Sequence, residues 1–285
     1  MNKKKILVNT VPHSGTHFLT SLLENLGYEH AIYRNKLYFG TPYYRRGQKA
    51  AINWRTANLL GEKFRLFEHK NIPVSVSAPV KITKSTYKNS FKVLVPGKFL
   101  MGHVPYSKIA EEVHQSTIDL SLTIVRDPRD MIFSMLRHVR ERPQHHAFNY
   151  LYKTLKTDIQ RFFAIAEGYE NPQGRMVGLE QMISSMLDWQ VCSNNLCVRF
   201  EEIIGPSGGG TFISQQKVIE EILKFIDEDA PQNNLQNLAD NTFGKSSTFR
   251  KGQSYGWKNV LSENDNKYFE EKYSSTLLRM GYEDQ

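Results

Sequence analysis

Apolar residues recur along this chain in two rhythms, a short continuous run and a helical spacing, and the two alternate. Ile6-Leu7-Val8-Asn9 is an apolar run bounded by charge before and a loop after, which predicts a buried strand. From Thr16 onward, Phe18, Leu19, Leu22, Leu23 and Leu26 recur at helical spacing, and Gly27 stands where a helix C-terminus takes glycine. The chain therefore opens as strand, glycine-containing loop, helix. Residues 99–103 predict a second strand and 107–115 a helix; 118–125 is the clearest strand of all. A helix over 130–140 follows, with Pro128 where a first turn tolerates it. A longer helix is predicted over 148–167, with Leu151, Leu155, Ile159 and Phe162 on one face, and another over 179–189 leading into a strand at 196–200. Helices are predicted at 215–227, 235–240 and 263–280, with a flexible glycine loop at 205–210 and a basic loop at 249–259.

Alternation of strand and helix argues for a parallel sheet covered on both faces. The expected fold is α/β: a single domain over 1–285, three layers, P-loop-like, with a central parallel sheet flanked by helices. No internal repeat or low-complexity block interrupts it. Residues 31–100 are rich in Tyr, Arg, Lys and Asn, with helical character at 48–67 and extended character at 74–95.

Composition narrows the function. At 285 residues the chain can bury a full core without a disulfide or metal staple, and Cys192 and Cys197 read as ordinary thiols of a reducing compartment. A net charge of +8 suits an anionic ligand, nucleic acid or an anionic membrane. The 37 Lys and Arg are spread rather than clustered, which disfavours a nucleic-acid surface. Met1-Asn2-Lys3-Lys4-Lys5 resembles the start of a signal peptide, but the apolar run after it is broken by Asn9 and Pro12. No stretch approaches the about 18 apolar residues of a membrane span. A cytoplasmic protein with no membrane or nucleic-acid partner, monomeric or homodimeric, is expected.

Three segments carry chemistry. In Pro12-His13-Ser14-Gly15-Thr16, between strand and helix, backbone N–H groups and the helix dipole form a natural phosphate site; Gly15 allows close approach, and Ser14, Thr16 and His17 add side-chain donors. It is not a Walker loop, because Gly-x4-Gly-Lys-Ser/Thr is absent. In the second segment, Arg126 lies just past a strand end and Ser134 about two turns along the next helix, where a guanidinium and a hydroxyl could share one phosphate. Arg126, Asp127, Arg129 and Asp130 also read as a plain surface salt-bridge patch. In the third, Phe249-Arg250-Lys251-Gly252, two cations and a glycine can wrap a dianion, or simply form a solvated loop.

Together, loop, Arg-x7-Ser and a late Arg-Lys-Gly resemble, in order and spacing, the sulfotransferases that use 3′-phosphoadenosine 5′-phosphosulfate (PAPS). The resemblance covers most of the chain and is weakest over 31–95. It implies that Ser14, Gly15, Thr16 and His17 hold the 5′-phosphate, and that Arg126, Ser134, Arg250, Lys251 and Gly252 hold the 3′-phosphate. It also implies that Phe18, Phe200 and Phe243 lie about the adenine. His103, in Gly102-His103-Val104-Pro105, matches the family's histidine before proline and would be the general base. Product would be adenosine 3′,5′-bisphosphate (PAP), with no metal, and the acceptor a small molecule. Residues 31–100 and 140–152 would be variable acceptor-pocket or lid segments; His145 and His146 could touch the acceptor or be exposed loop histidines.

Two positions depart from the family. His13 replaces the loop lysine, and would act on the leaving group when a bound polyanion favours its protonation. Met101 replaces a second lysine, leaving a cation such as Lys98 to substitute or turnover to be low. The rivals are a P-loop small-molecule kinase, which would want a loop lysine with a magnesium ligand, and a PAPS- or anion-binding protein with little turnover.

Overall fold

The structure is a computed structural model and describes residues 3–32, 51–52, 71–229, 235–242 and 254–282. Strand β1 (Ile6–Asn9) is fully buried and pairs in parallel with β6 (Lys98–Gly102) on one side and β7 (Leu120–Val125) on the other; Leu7 stands opposite Leu100 and Ser121. Strand β10 (Asn195–Arg199) lies parallel outside β7. Strands β2 (Glu29–His30) and β3 (Ala51–Ile52) pair in succession along the outer edge of β6, also in parallel. The expectation of a parallel sheet flanked by helices is borne out.

Side chains alternate across this sheet, so each face builds its own core. Ile6, Val8, Phe99, Leu122 and Ile124 pack on one face with Leu19 and Leu22 of helix Thr16–Asn25 and with Ile219 and Ile222 of helix Phe212–Ile226. Leu7, Leu100 and Val125 face the other core, with Val113 of helix Lys108–Thr117, Met131 and Ile132 of helix Pro128–Arg140 and Met182 of helix Leu179–Leu187. Each buried aliphatic side chain stabilises by about 1.5–3 kcal/mol, so a two-sided core holds the sheet without staples. Both cysteines are free thiols.

The chain order creates a crevice. From β1 the chain crosses to the far side of β6, returns as β6, then passes to the other side of β1 as β7 and β10. The segments leaving β1 and β7 thus diverge to opposite faces, and their carboxyl ends open between them, where open α/β sheets bind ligands.

Several predicted elements are redrawn. The helix expected over 148–167 is interrupted: a π-helical turn (Asn149–Thr154) ends at Leu155, and Thr157 starts helix Asp158–Glu167 through a capping box with Gln160. Arg161 donates to the carbonyls of Leu151 and Leu155, both at 2.8 Å, and so satisfies acceptors exposed by the break. The expected 263–280 helix is two, Glu263–Lys272 and Ser274–Met280, parted at Tyr273. Of the extended stretch at 74–95, only an antiparallel hairpin of β4 (Asn71–Val74) and β5 (Val80–Thr83) is strand. Thr83 then caps helix Lys84–Ser90 by accepting from the Thr86 amide. An unpredicted hairpin, β8 (Tyr169–Asn171) with β9 (Gly174–Met176), precedes Leu179. The 205–210 loop is an ordered turn, with Gly205 and Gly209 at φ 67° and 93° and the Gly208 carbonyl accepting from Ser254 at 3.0 Å. Of the 48–67 stretch read as helical, only Ala51–Ile52 lies among the described residues, and it is strand. Among the described residues, no helix is long and apolar enough to cross a membrane.

Candidate functional site

At the carboxyl end of β1 the chain turns sharply before helix Thr16–Asn25. Ser14 closes that turn: it is fully buried, and both its hydroxyl (2.7 Å) and its amide (3.3 Å) donate to the Val11 carbonyl. The Thr10 and Thr16 hydroxyls bond at 2.6 Å and tie the strand end to the first helical turn. Gly15 is the N-cap, with φ 122°, and offers no capping side chain. A Cβ there would sit 2.5 Å from the Phe200 ring, so both conformation and space demand glycine. By helical geometry the first-turn amides have no carbonyl one turn back. The donor set of Gly15, Thr16 and the exposed His17 fits a phosphate; Ser14 contributes through the shape of the turn.

His103 follows β6 on the same edge and is held on both sides. Its amide donates to Ile52 of β3 at 3.2 Å. The next residue, Val104, exchanges two bonds with the buried Asn9 side chain, at 2.9 and 3.0 Å. The His103 Nδ1 lies 2.6 Å from the Thr10 carbonyl. A carbonyl only accepts, so Nδ1 carries the proton and Nε2 is left with its lone pair. Burial lowers the pKa of this half-buried imidazole, the Thr10 bond opposes that, and His17 lowers it further. Neutral with a basic Nε2, His103 has the state a general base needs.

Arg126 emerges from β7 toward the loop. Its Nη1 is 3.4 Å from the His13 carbonyl, its guanidinium lies 4.4 Å over the Phe200 ring, and Nη2 is 3.9 Å from Asp130. Phe200 is therefore a buried floor shared by Gly15 and Arg126. Ser134 sits half-buried two turns into helix Pro128–Arg140. The surface salt-bridge reading of 126–130 is corrected. Arg129 is fully buried, bidentate to Asp127 (3.0 and 2.8 Å), bonded to Asn266 and Glu270, and stacked 3.7 Å over Trp257. Asp127 caps the helix by accepting from the Arg129 amide, while its own amide donates to Glu201, which also accepts from the Tyr282 hydroxyl. Asp130 accepts from the Trp257 amide at 3.0 Å, and burial pushes its pKa up to about 6. Sequence reasoning missed this network, whose members lie up to 141 residues apart.

His13 occupies the left-handed region at φ 70°, which His adopts more readily than most side chains. Its ring meets that of His138 edge-on at 5.0 Å; His138 meets His145 at 5.6 Å, and His145 meets His146 at 4.3 Å. Burial holds the His13 pKa well below its usual value, followed by His138, His103, Arg126 and His145. His145 and His146 are half-buried members of this row rather than exposed loop residues. Nothing in the spacing of residues 13, 138 and 145 announces the row, because a β-crossover brings it together.

Other expectations are redrawn or fall elsewhere. Phe18 is buried in the core beside Leu19 and Phe200. Lys98 begins β6, at the end opposite His103, and pairs with Glu29 at 3.1 Å, so it cannot replace the charge missing at Met101. Phe243, Arg250, Lys251 and Gly252 lie outside the described residues. A cavity of about 320 Å³ lined by Pro79, Tyr169, Arg175 and Met176 holds none of the site residues. No group of three or more His, Cys, Asp or Glu placed to hold a metal occurs among the described residues.

No family model matches the sequence, and no curated protein matches it either. Solved structures do resemble it. Mouse sulfotransferase SULT7A1 complexed with PAP is 15% identical, with a TM-score of 0.57 over 95% of this chain and 84% of that one. Retinol dehydratase in a complex with retinol and PAP is 14% identical, with a TM-score of 0.53 over 95% of this chain and 80% of that one. Its complex with androsterone and the inactive cofactor PAP is 13% identical, with a TM-score of 0.55 and the same coverage. The chain has the sulfotransferase fold.

Proposed function

We propose that this chain is a sulfotransferase that moves the sulfonate of PAPS to a hydroxyl or amine of a small-molecule acceptor and releases PAP. The observation that carries this reading is the meeting, at one sheet edge, of the Gly15 loop, Arg126 and a His103 whose tautomer leaves Nε2 basic. The solved proteins of like fold were crystallised with PAP, which supports the same ligand.

In this reading the first-turn amides of Gly15, Thr16 and His17 take the 5′-phosphate, and Arg126 with Ser134 the 3′-phosphate. Arg250, Lys251 and Gly252 join the 3′ site by the family pattern, and Phe243 the adenine. His103 Nε2 accepts the acceptor's proton as its oxygen or nitrogen bonds to sulfur. The bond from sulfur to the bridging phosphate oxygen breaks, and its electron pair stays on PAP. His13, protonated beside that oxygen, offsets the developing charge. Residues 31–100 and 140–152 would shape the acceptor pocket of one cytoplasmic domain.

Calorimetric titration with PAP, followed by a PAPS-dependent screen over pooled metabolites read by the sulfonate mass increment, tests the proposal. Micromolar PAP binding with a sulfonated product is expected. PAP binding without product in any pool would favour a binding protein, and failure to bind PAP would reject the nucleotide assignment.

A further inference from the structure

The row of imidazoles beside the loop poses a problem of charge. A proton drawn in by a bound polyanion could settle on His13, where it can act on the leaving group, or on a neighbour, where it would oppose a charge on His13. Among the described residues the groups facing His13 are His138 from helix Pro128–Arg140, His145 from the segment after it, His103 from the end of β6 and Arg126 from the end of β7. None of these is acidic. Each neighbour must stay neutral, or be permanently charged and paired elsewhere, for His13 to take the proton.

Hydrogen bonding decides both histidines besides His103. A single Arg142 nitrogen, Nη1, reaches both the Nδ1 of His138 (3.1 Å) and the His138 carbonyl (3.3 Å). A guanidinium has no acceptor, so the bond at Nδ1 exists only while that nitrogen holds a lone pair. His138 is then neutral, with its proton on Nε2. The Ala147 amide likewise donates to His145 Nδ1 at 3.2 Å, with the same consequence. Arg142 is placed for this by the helix end: its amide closes the last turn on Val139 at 3.0 Å, and residues 138 and 142 lie one turn apart. The carboxylate of Glu141 is 4.0 Å from the same Arg142 nitrogen and balances its charge. Arg126 is charged but faces Asp130.

We propose that Arg142 and His138 are positioning residues for His13: Arg142 keeps His138 a neutral, fixed tautomer, so that the proton attracted by the nucleotide settles on His13. The proposal rests on the reading that His13 serves the leaving group of sulfonate transfer. His138 lowers the His13 pKa only through its charged form, and the Arg142 bond at Nδ1 opposes that form. An imidazolium at 5.0 Å would otherwise lower the His13 pKa.

The test is a titration of the histidine side-chain nitrogens by NMR, on the full chain, alone and saturated with PAP, from pH 5 to 8. In wild type His138 stays neutral throughout, and His13 alone gains a proton on addition of PAP. Arg142→Met releases His138 to titrate inside this window and lowers the His13 pKa in the PAP complex. Arg142→Lys, which still donates to Nδ1, restores the wild-type pattern. In turnover, the alkaline limb of kcat moves to lower pH in Arg142→Met and returns in Arg142→Lys. A His138 that titrates near 6.5 in wild type, or titrations unmoved by Arg142→Met, overturns the proposal. The NMR titrations are made without turnover and, for His138, without ligand, so a chain that fails to bind PAP would reject the sulfotransferase reading separately.

Discussion

The Nδ1 of His103 and the carbonyl of Thr10 lie 2.6 Å apart, joining the end of β6 to the end of β1 through one hydrogen bond. That bond assigns the tautomer and leaves a lone pair, not an N–H, on Nε2. A base so placed should be separable from binding. His103→Ala is expected to reduce sulfonate transfer by about 10²- to 10⁴-fold, while the PAP Kd changes little. His103→Gln would keep a donor toward Thr10 and still lack the base, so it should be equally inactive. Turnover retained in His103→Gln, measured by mass shift of the acceptor, would remove His103 from the role.

The proposed mechanism needs its two histidines in opposite states, and their shifts set the signs of the pH profile. His103 acts neutral; because burial lowers its pKa, the acid limb of kcat should lie below pH 6.5. His13 acts protonated, and in the free protein its pKa is held well below 6.5. Bound phosphates raise it again, so kcat should fall as pH rises through the value of the complex. His13→Lys should remove that alkaline limb and leave the acid limb in place. Coincident profiles for the two proteins would show that protonation of His13 has no part in the rate.

Arg126 joins the Gly15 loop to Phe200, reaching the His13 carbonyl and lying over the Phe200 ring. Its predicted partner is the 3′-phosphate, so its loss should depend on that group. Arg126→Met should weaken PAP by about 10- to 100-fold, the range for a hydrogen-bonded charge, and adenosine 5′-phosphate, which lacks the 3′ group, by about threefold at most. Calorimetry with both nucleotides decides it. An equal loss for the two would make Arg126 a support of the loop rather than a phosphate ligand.

What the sequence made legible follows from the range of the interactions. The strand-loop-helix around Ser14 and the strand-helix around Arg126 were readable because buried runs, helical spacing and a first-turn proline are local signals. The break before Asp158 was readable in principle, since Thr157-x-x-Gln160 is a capping box, but the apolar face of 148–167 ran across it. His13 beside His138, and Arg129 beside Glu270, were not readable, because such pairs exist only once the sheet has set which loops share an edge. Ser14 shows a further limit: the motif places a hydroxyl at the phosphate loop, and folding directs it back to Val11.

Arg129 supplies the test of how the site is held. It is fully buried against Asp127, which caps the helix after Arg126 and accepts from the Trp257 indole at 3.1 Å. Removing one member of a buried ion pair leaves the other charge without compensation, at a cost of about 3–5 kcal/mol. Arg129→Met and Asp127→Asn should each lower the unfolding free energy by an amount in that range, seen as a fall in the urea midpoint with little change in m. Because each substitution removes the same pair, the double variant should lose clearly less than the sum, leaving a coupling energy of about 1–3 kcal/mol. Strict additivity would mean that the two side chains stabilise the protein independently. PAP affinity of whichever variants remain folded gives the functional arm: loss of the cap tilts the start of the helix that follows Arg126 and carries Ser134, so Asp127→Asn should weaken PAP more than Arg129→Met does.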